Sequence, residues 1–152
     1  MVTSRNYDFD QVDRSTRQIT PDLISAVSDH IVHKLSPRQI LLFGSYANGK
    51  ANQDSDIDLL VILDNHHPLA PFTHRERSQK LLDLFRYRSF GLDAMVLTQK
   101  EIDYLLATNE GEWDLVLEIR EQGIKLYDRT QATQTQRTRP PAYARMVPQS
   151  RT

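Results

Sequence analysis

Two carboxylates, Asp56 and Asp58, stand where a polar stretch runs into the apolar series Leu59, Leu60, Val61, Ile62 and Leu63, and ten residues before them lies the pair Gly44-Ser45. Strand side chains alternate between faces, so the two acids point the same way with their Cβ atoms roughly 7 Å apart. Carboxylates so placed repel each other unless a cation sits between them. Mg²⁺ is the natural occupant, because it takes one or two carboxylates and completes its shell with water and substrate phosphates. The glycine-serine pair supplies a small, flexible turn able to accept those phosphates. The chemistry this combination predicts is nucleotidyl transfer.

The elements that must position these residues can be read along the chain. Thr20-Pro21-Asp22 is a helix start, with a hydroxyl cap, proline at the first helical position and an acid near the positive end of the dipole. Leu23, Val27, Ile31 and Leu35 recur at helical spacing until Ser36-Pro37 stops the pattern. A short buried strand is predicted over 40–43, a helical turn over 45–48 ended by Asn48-Gly49, and a central strand, apolar on both faces, over 57–63. A loop over 64–71 leads to a helix with Leu81, Leu82 and Phe85 turned inward. A third strand is predicted over 90–97, then a capping box at Thr98 and Glu101, helices over 99–107 and 112–121, and an edge strand over 124–127 after Gly123. This alternation predicts an α/β fold of two layers, a mixed sheet packed against helices, with the acids on the sheet's open face.

Composition narrows the classes further. A chain of 152 residues with 39% hydrophobic content fits one small domain with a core of its own. Five glycines and no cysteines exclude collagen-like, disulfide-stapled and cysteine-zinc proteins. The first residues, MVTSRNYDFDQVDRSTRQ, contain no apolar targeting segment, and no apolar run is long enough to span a bilayer, so a soluble, cytoplasmic protein is expected, with no membrane partner. A net charge of -1 gives no basic nucleic-acid surface. The charge is uneven, since residues 128–152 hold five arginines and one acid, or +4, and the body before them carries -5. The expected organisation is a polar lead over 1–19, a catalytic domain over 20–128 and a basic tail over 129–152, flexible or held by a partner.

Gly44-Ser45, ten residues and Asp56-Ile57-Asp58, inside the run LLFGSYANGKANQDSDIDLLVIL, resemble the signature of the minimal nucleotidyltransferases of the DNA polymerase β superfamily. The ending EIREQGIKLYD is similar to that family's closing helix and strand. The resemblance implies a nucleotidyltransferase fold and ATP as substrate, with two Mg²⁺ ions, or Mn²⁺ in their place. It also implies a third carboxylate from a neighbouring strand, and Asp93 is the one acid within an apolar strand after the motif. Asp56 and Asp58 would hold both ions, while Asp93 would complete the one that lowers the pKa of the incoming hydroxyl. Gly44 and Ser45 would meet the β and γ phosphates, with Lys50 as a further phosphate contact. Asn48 stands where relatives often carry arginine, so one phosphate contact is expected to be missing.

Many small members are antitoxins of HEPN/MNT modules that transfer AMP to a tyrosine of a helical RNase toxin, which implies a HEPN-type protein partner and a hetero-oligomer. Two other functions compete: an adenylyltransferase for small molecules, whose relatives carry an extra helical domain, and an antitoxin that acts by binding alone. Individual residues have structural readings as well. Asp93 could pair with Arg86 or Arg88. His66, His67 and His74 read as surface histidines, His30 and His33 as the polar face of the first helix, and Trp113, Val116 and Leu117 as core.

Overall fold

The structure, a computed structural model, describes residues 18–131 apart from Glu112. The polar lead before Gln18 lies outside the described residues, and so does the tail over 132–152. In order, the elements are α1 (Pro21–Leu35), β1 (Gln39–Phe43), α2 (Ser45–Asn48), β2 (Ile57–Leu63), α3 (His74–Leu82) continued by a 3-10 turn (Asp83–Phe85), β3 (Leu92–Thr98), α4 (Gln99–Thr108), α5 (Trp113–Gln122) and β4 (Ile124–Asp128). Local rules account for most boundaries. Thr20 Oγ1 accepts the Leu23 N–H at 3.1 Å and Pro21 opens α1, while Ser36 turns left-handed at its end before Pro37. Both α3 and α4 begin with complete capping boxes, Thr73 with Glu76 and Thr98 with Glu101.

The four strands lie in the order β3-β2-β1-β4, with β1 antiparallel to both of its neighbours and β2 parallel to β3. A parallel pair needs a crossover, which the loop after β2 and α3 provide. The expected α/β class, a mixed sheet packed against helices, is what the chain forms, and β4 is an edge as expected. From Ile57, alternate residues of β2 pack with Leu23, Val27 and Ile31 of α1 and Leu81 of α3. Its other face, at Leu60 and Ile62, packs with Ile102 of α4 and with Val116 and Ile119 of α5. Helices therefore cover both faces, and the face expected to be open is open only beyond α4 and α5. Each fully buried Leu, Ile or Val contributes about 1.5–3 kcal/mol, so this central strand anchors the domain.

The free edge of β3 is closed by α3. Ile57 donates its N–H to the Gly91 carbonyl, so odd-numbered residues of β3 face β2 and even-numbered ones face outward. The outward carbonyls of Ala94 and Val96 accept from Ser78 Oγ at 2.7 Å and from Arg77 Nη1 at 3.0 Å. Such capping removes the template that an unpaired edge offers to other chains.

Some polar residues take structural roles that their surroundings in sequence conceal. His67 corrects the surface reading: its Nδ1 accepts the Leu69 N–H at 3.0 Å, which leaves Nε2 to donate to the Leu35 carbonyl at 2.7 Å. His66 and His74 are exposed as expected. His30 meets the Phe85 ring edge-on at 5.1 Å and so belongs partly to the core. Val116 is buried, whereas Trp113 and Leu117 are half-buried. Arg129, the first residue of the expected basic tail, is tied to the body through Asp64, which also accepts from Arg38. Those arginines hold the Asp64 carboxyl below the usual range.

Asp29 of α1 is half-buried, and desolvation pushes its carboxyl up to about 6 from 3.8. The folded chain therefore binds this proton more tightly than the unfolded chain, so the residue lowers stability as pH rises from 4 to 6 and keeps it lower above. Asp29→Asn is expected to leave stability unchanged at pH 4 and to raise it by about 2 kcal/mol at pH 7.5. Urea unfolding at the two pH values checks this, and an equal effect at both would rule out desolvation as the cause.

Candidate active site

The three predicted acids meet at one end of the sheet, where β1 finishes and β2 and β3 begin. Asp58 lies opposite Phe43 of β1 on one side and Asp93 of β3 on the other. Residues in register across strands share a face, so the Asp58 and Asp93 side chains project together. Asp56 sits one residue before β2, exposed, and Asp93 is exposed, while Asp58 is half-buried. Desolvation first, then the charges of Asp93 and Asp56, together push the Asp58 carboxyl up to about 6.

Two glycines leave room for these carboxylates. A Cβ on Gly44 would fall 2.3 Å from Asp58 Oδ2, and one on Gly91 would fall 1.8 Å from Asp56 Oδ1. Gly44 also adopts φ +77° and ψ -156°, a backbone conformation open essentially to glycine alone. It leads into the one-turn helix α2, where Ser45 stands at the first position and Gly49 closes the turn in the left-handed region. Beside Asp56 a cleft of about 810 Å³ opens, lined by Gln18, Ile19, Tyr46, the 51–55 loop, Ser89 and Gly91. The Tyr46 hydroxyl is raised, by desolvation first and then by the charge of Asp56. Asn52 holds the loop in shape, since its N–H donates to Ser55 Oγ and its Oδ1 accepts from Asp54 N–H.

Asp56, Asp58 and Asp93 are thus brought together, with Gly44 and Ser45 adjoining them. Lys50 is exposed on the loop after α2, its N–H donating to Asn48 Oδ1, and it is not among the residues that line the cleft. Arg88 donates to the Phe85 carbonyl, and Asp93 Oδ1 accepts from the Ala94 N–H at 2.9 Å. That bond ties one Asp93 oxygen to the backbone N–H that follows it. Among the described residues no three His, Cys, Asp or Glu side chains are drawn together tightly enough to hold an ion as they stand. By chemistry the set still fits a hard divalent cation: three oxygen donors, converging charge, and an Asp58 whose ionisation is opposed by the charges a cation would offset.

Tyr46, Ser89, Gly91, Gln18 and Ile19 escaped the sequence reading. A glycine two residues before an acid at a strand start does signal close approach of another group, so Gly91 could have been found. Gln18 and Ile19 fall in the expected lead and become part of the cleft only through folding.

With this geometry in place, comparison with known proteins is direct. The sequence pattern described as "Polymerase beta, Nucleotidyltransferase" matches residues 27–132. The chain belongs to that nucleotidyltransferase family. A relative from Methanocaldococcus jannaschii, "Putative protein adenylyltransferase MJ1379", is 33% identical over 86 residues, which cover 55% of this chain and 78% of that protein. The crystal structure of "a putative nucleotidyltransferase" from Sulfolobus solfataricus aligns over 72% of this chain and 81% of its own, with a TM-score of 0.49 and 17% identity. In this nucleotidyltransferase no helix among the described residues is long and apolar enough to cross a membrane.

Proposed function

We propose that this nucleotidyltransferase transfers AMP from ATP to a hydroxyl on a partner protein, a tyrosine of a HEPN-type RNase toxin, and so acts as its antitoxin. The observation that carries the transfer chemistry is the register that sets Asp58 beside Asp93, with Asp56 two residues before Asp58 and Gly44-Ser45 adjoining. A protein acceptor is supported by the relative named a protein adenylyltransferase. Mg²⁺, held by Asp56, Asp58 and Asp93, would supply charge neutralisation at the phosphates and lower the pKa of the incoming hydroxyl. In the reaction the acceptor oxygen bonds to the α-phosphorus, the bond from that phosphorus to its bridging oxygen breaks, and pyrophosphate leaves. Asp93, exposed at the mouth, takes the hydroxyl proton. Gly44 and Ser45 receive the β and γ phosphates where the backbone can approach closely. The open cleft beside Asp56 gives the nucleotide its place.

The test is incubation with α-labelled ATP, Mg²⁺ and a co-expressed helical RNase partner. A mass increase of one AMP on a partner tyrosine supports the reading, and label that stays on small molecules alone rejects a protein acceptor. Asp93→Ala is expected to lower turnover about a hundredfold or more with ATP affinity nearly unchanged, because its work is on the attacking side. Steady-state kinetics beside nucleotide titration measure the two separately, and transfer at the wild-type rate would move the third carboxylate elsewhere.

A further inference from the structure

We infer that Gly91 is a positioning residue for the Asp56 carboxylate, an inference that rests on the reading of Asp56 as a metal ligand. Asp56 precedes β2 and is exposed, so burial does not hold its side chain in place. Gly91, just before β3, has its bare Cα face turned toward that carboxylate: an added Cβ would fall 1.8 Å from Asp56 Oδ1 and 2.5 Å from Cγ. Atoms that are not bonded do not approach so closely, so one of the two must move. The backbones are not free to part, because Ile57 N–H donates to the Gly91 carbonyl at 3.0 Å and begins the β2-β3 ladder. What yields is the exposed carboxylate, which must leave the place it holds against Gly91. The missing side chain is therefore a seat that keeps Asp56 aimed at the other two acids.

Gly91 differs from Gly44 in a way that makes it the cleaner probe. Gly44 has a positive φ, so any side chain there strains the backbone, whereas Gly91 carries no such requirement and the three atoms nearest an added Cβ all belong to Asp56.

The test uses the full chain, with Mn²⁺ alone as probe and affinity read by electron paramagnetic resonance, so it does not depend on turnover. Gly91→Ala is expected to melt within a few degrees of wild type yet bind Mn²⁺ at least tenfold more weakly, close to Asp56→Asn. The double variant is expected to bind no more weakly than Asp56→Asn, since both act through one carboxylate. Wild-type affinity in Gly91→Ala, with Asp56→Asn weakened, overturns the inference and leaves the site reading intact. A further tenfold loss in the double variant also overturns it, because Gly91 would then act on something else. Equal affinity of wild type and Asp56→Asn removes the site reading itself. Should Gly91→Ala fail to fold, Gly91→Ala/Asp56→Gly decides: recovery of the fold confirms the contact with the carboxylate, and continued failure assigns the glycine to the backbone and rejects the inference.

Discussion

Asp58→Asn is expected to abolish nucleotidyl transfer while making the metal-free chain more stable. Asparagine keeps the shape of the side chain between Phe43 and Asp93, so β2 keeps its pairing on both sides. What it removes is the charge. Loss of one anionic ligand from a site that neutralises phosphates is worth at least about 4 kcal/mol of barrier, or roughly a thousandfold in rate. In the metal-free chain the same charge is a burden, because desolvation and the charges of Asp93 and Asp56 all oppose ionisation of Asp58. Asp58 is only half-buried, so solvent screens much of that repulsion and the expected gain is about 1 kcal/mol at neutral pH. The folded-state carboxyl titrates above the unfolded one, so the gain is absent at pH 4 and develops as pH rises to 6. Divalent cation should reverse the order: at a hundred times its Kd it stabilises the wild type by about 2.7 kcal/mol and the variant far less. Thermal melts with and without Mn²⁺, beside labelled AMP transfer, measure all three effects. Transfer within tenfold of wild type would remove Asp58 from the site, and a metal-free variant that melts lower would refute the repulsion.

The parts legible in sequence are those governed by neighbours a few residues apart. Thr20-Pro21, the Thr98-Glu101 capping box and the doubly apolar β2 follow from local hydrogen bonds and side-chain periodicity, and the structure places them where the pattern does. The boundary of β3 moves from 90 to Leu92 because Phe90 lies at a bend and joins the core before the strand begins. What could not be read is what pairing creates. Asp58 and Asp93 are 35 residues apart in the chain, and only the parallel register of β2 with β3 sets them opposite each other. The Gly91 seat has the same origin. His67 reads as a loop histidine until α1 brings the Leu35 carbonyl to its ring. Second-layer cover by α4 and α5 was hidden in the same way, since their half-polar sequences do not reveal which sheet face they meet.

Arg77 is the furthest from its sequence appearance, and its replacement is expected to be strongly destabilising. In the run HRERSQKLL it looks like one more solvated charge, yet it lies one turn before Leu81 on the inward stripe and is only 1% exposed. All five guanidinium N–H groups are used. Nε donates to the Leu69 carbonyl, Nη2 to Ala70, Nη1 to Val96, and the two Nη groups form a fork on Glu101 at 2.7 and 2.9 Å. One side chain thereby ties the loop before α3, the edge strand β3 and the start of α4 together. Arg77→Ala leaves three carbonyls and a carboxylate without their donor and opens a cavity, for an expected loss of about 3 kcal/mol. The value sits at the low end for a buried pair because Glu101 is half-exposed and can rehydrate. Arg77→Lys should cost nearly as much, since a single ammonium cannot reproduce the fork or reach all the carbonyls. Burial alone would raise the Glu101 carboxyl, but the bonds from Arg77 and Thr98 hold it below its usual value. Its share of stability is accordingly present above pH 4.5 and lost as pH falls through the lowered pKa, so the gap between wild type and Arg77→Ala should narrow in acid. Urea unfolding at pH 7.5 and pH 3.5 measures both, and an Arg77→Lys chain within 1 kcal/mol of wild type would show that charge alone, rather than the five-bond geometry, is what the fold requires of this residue.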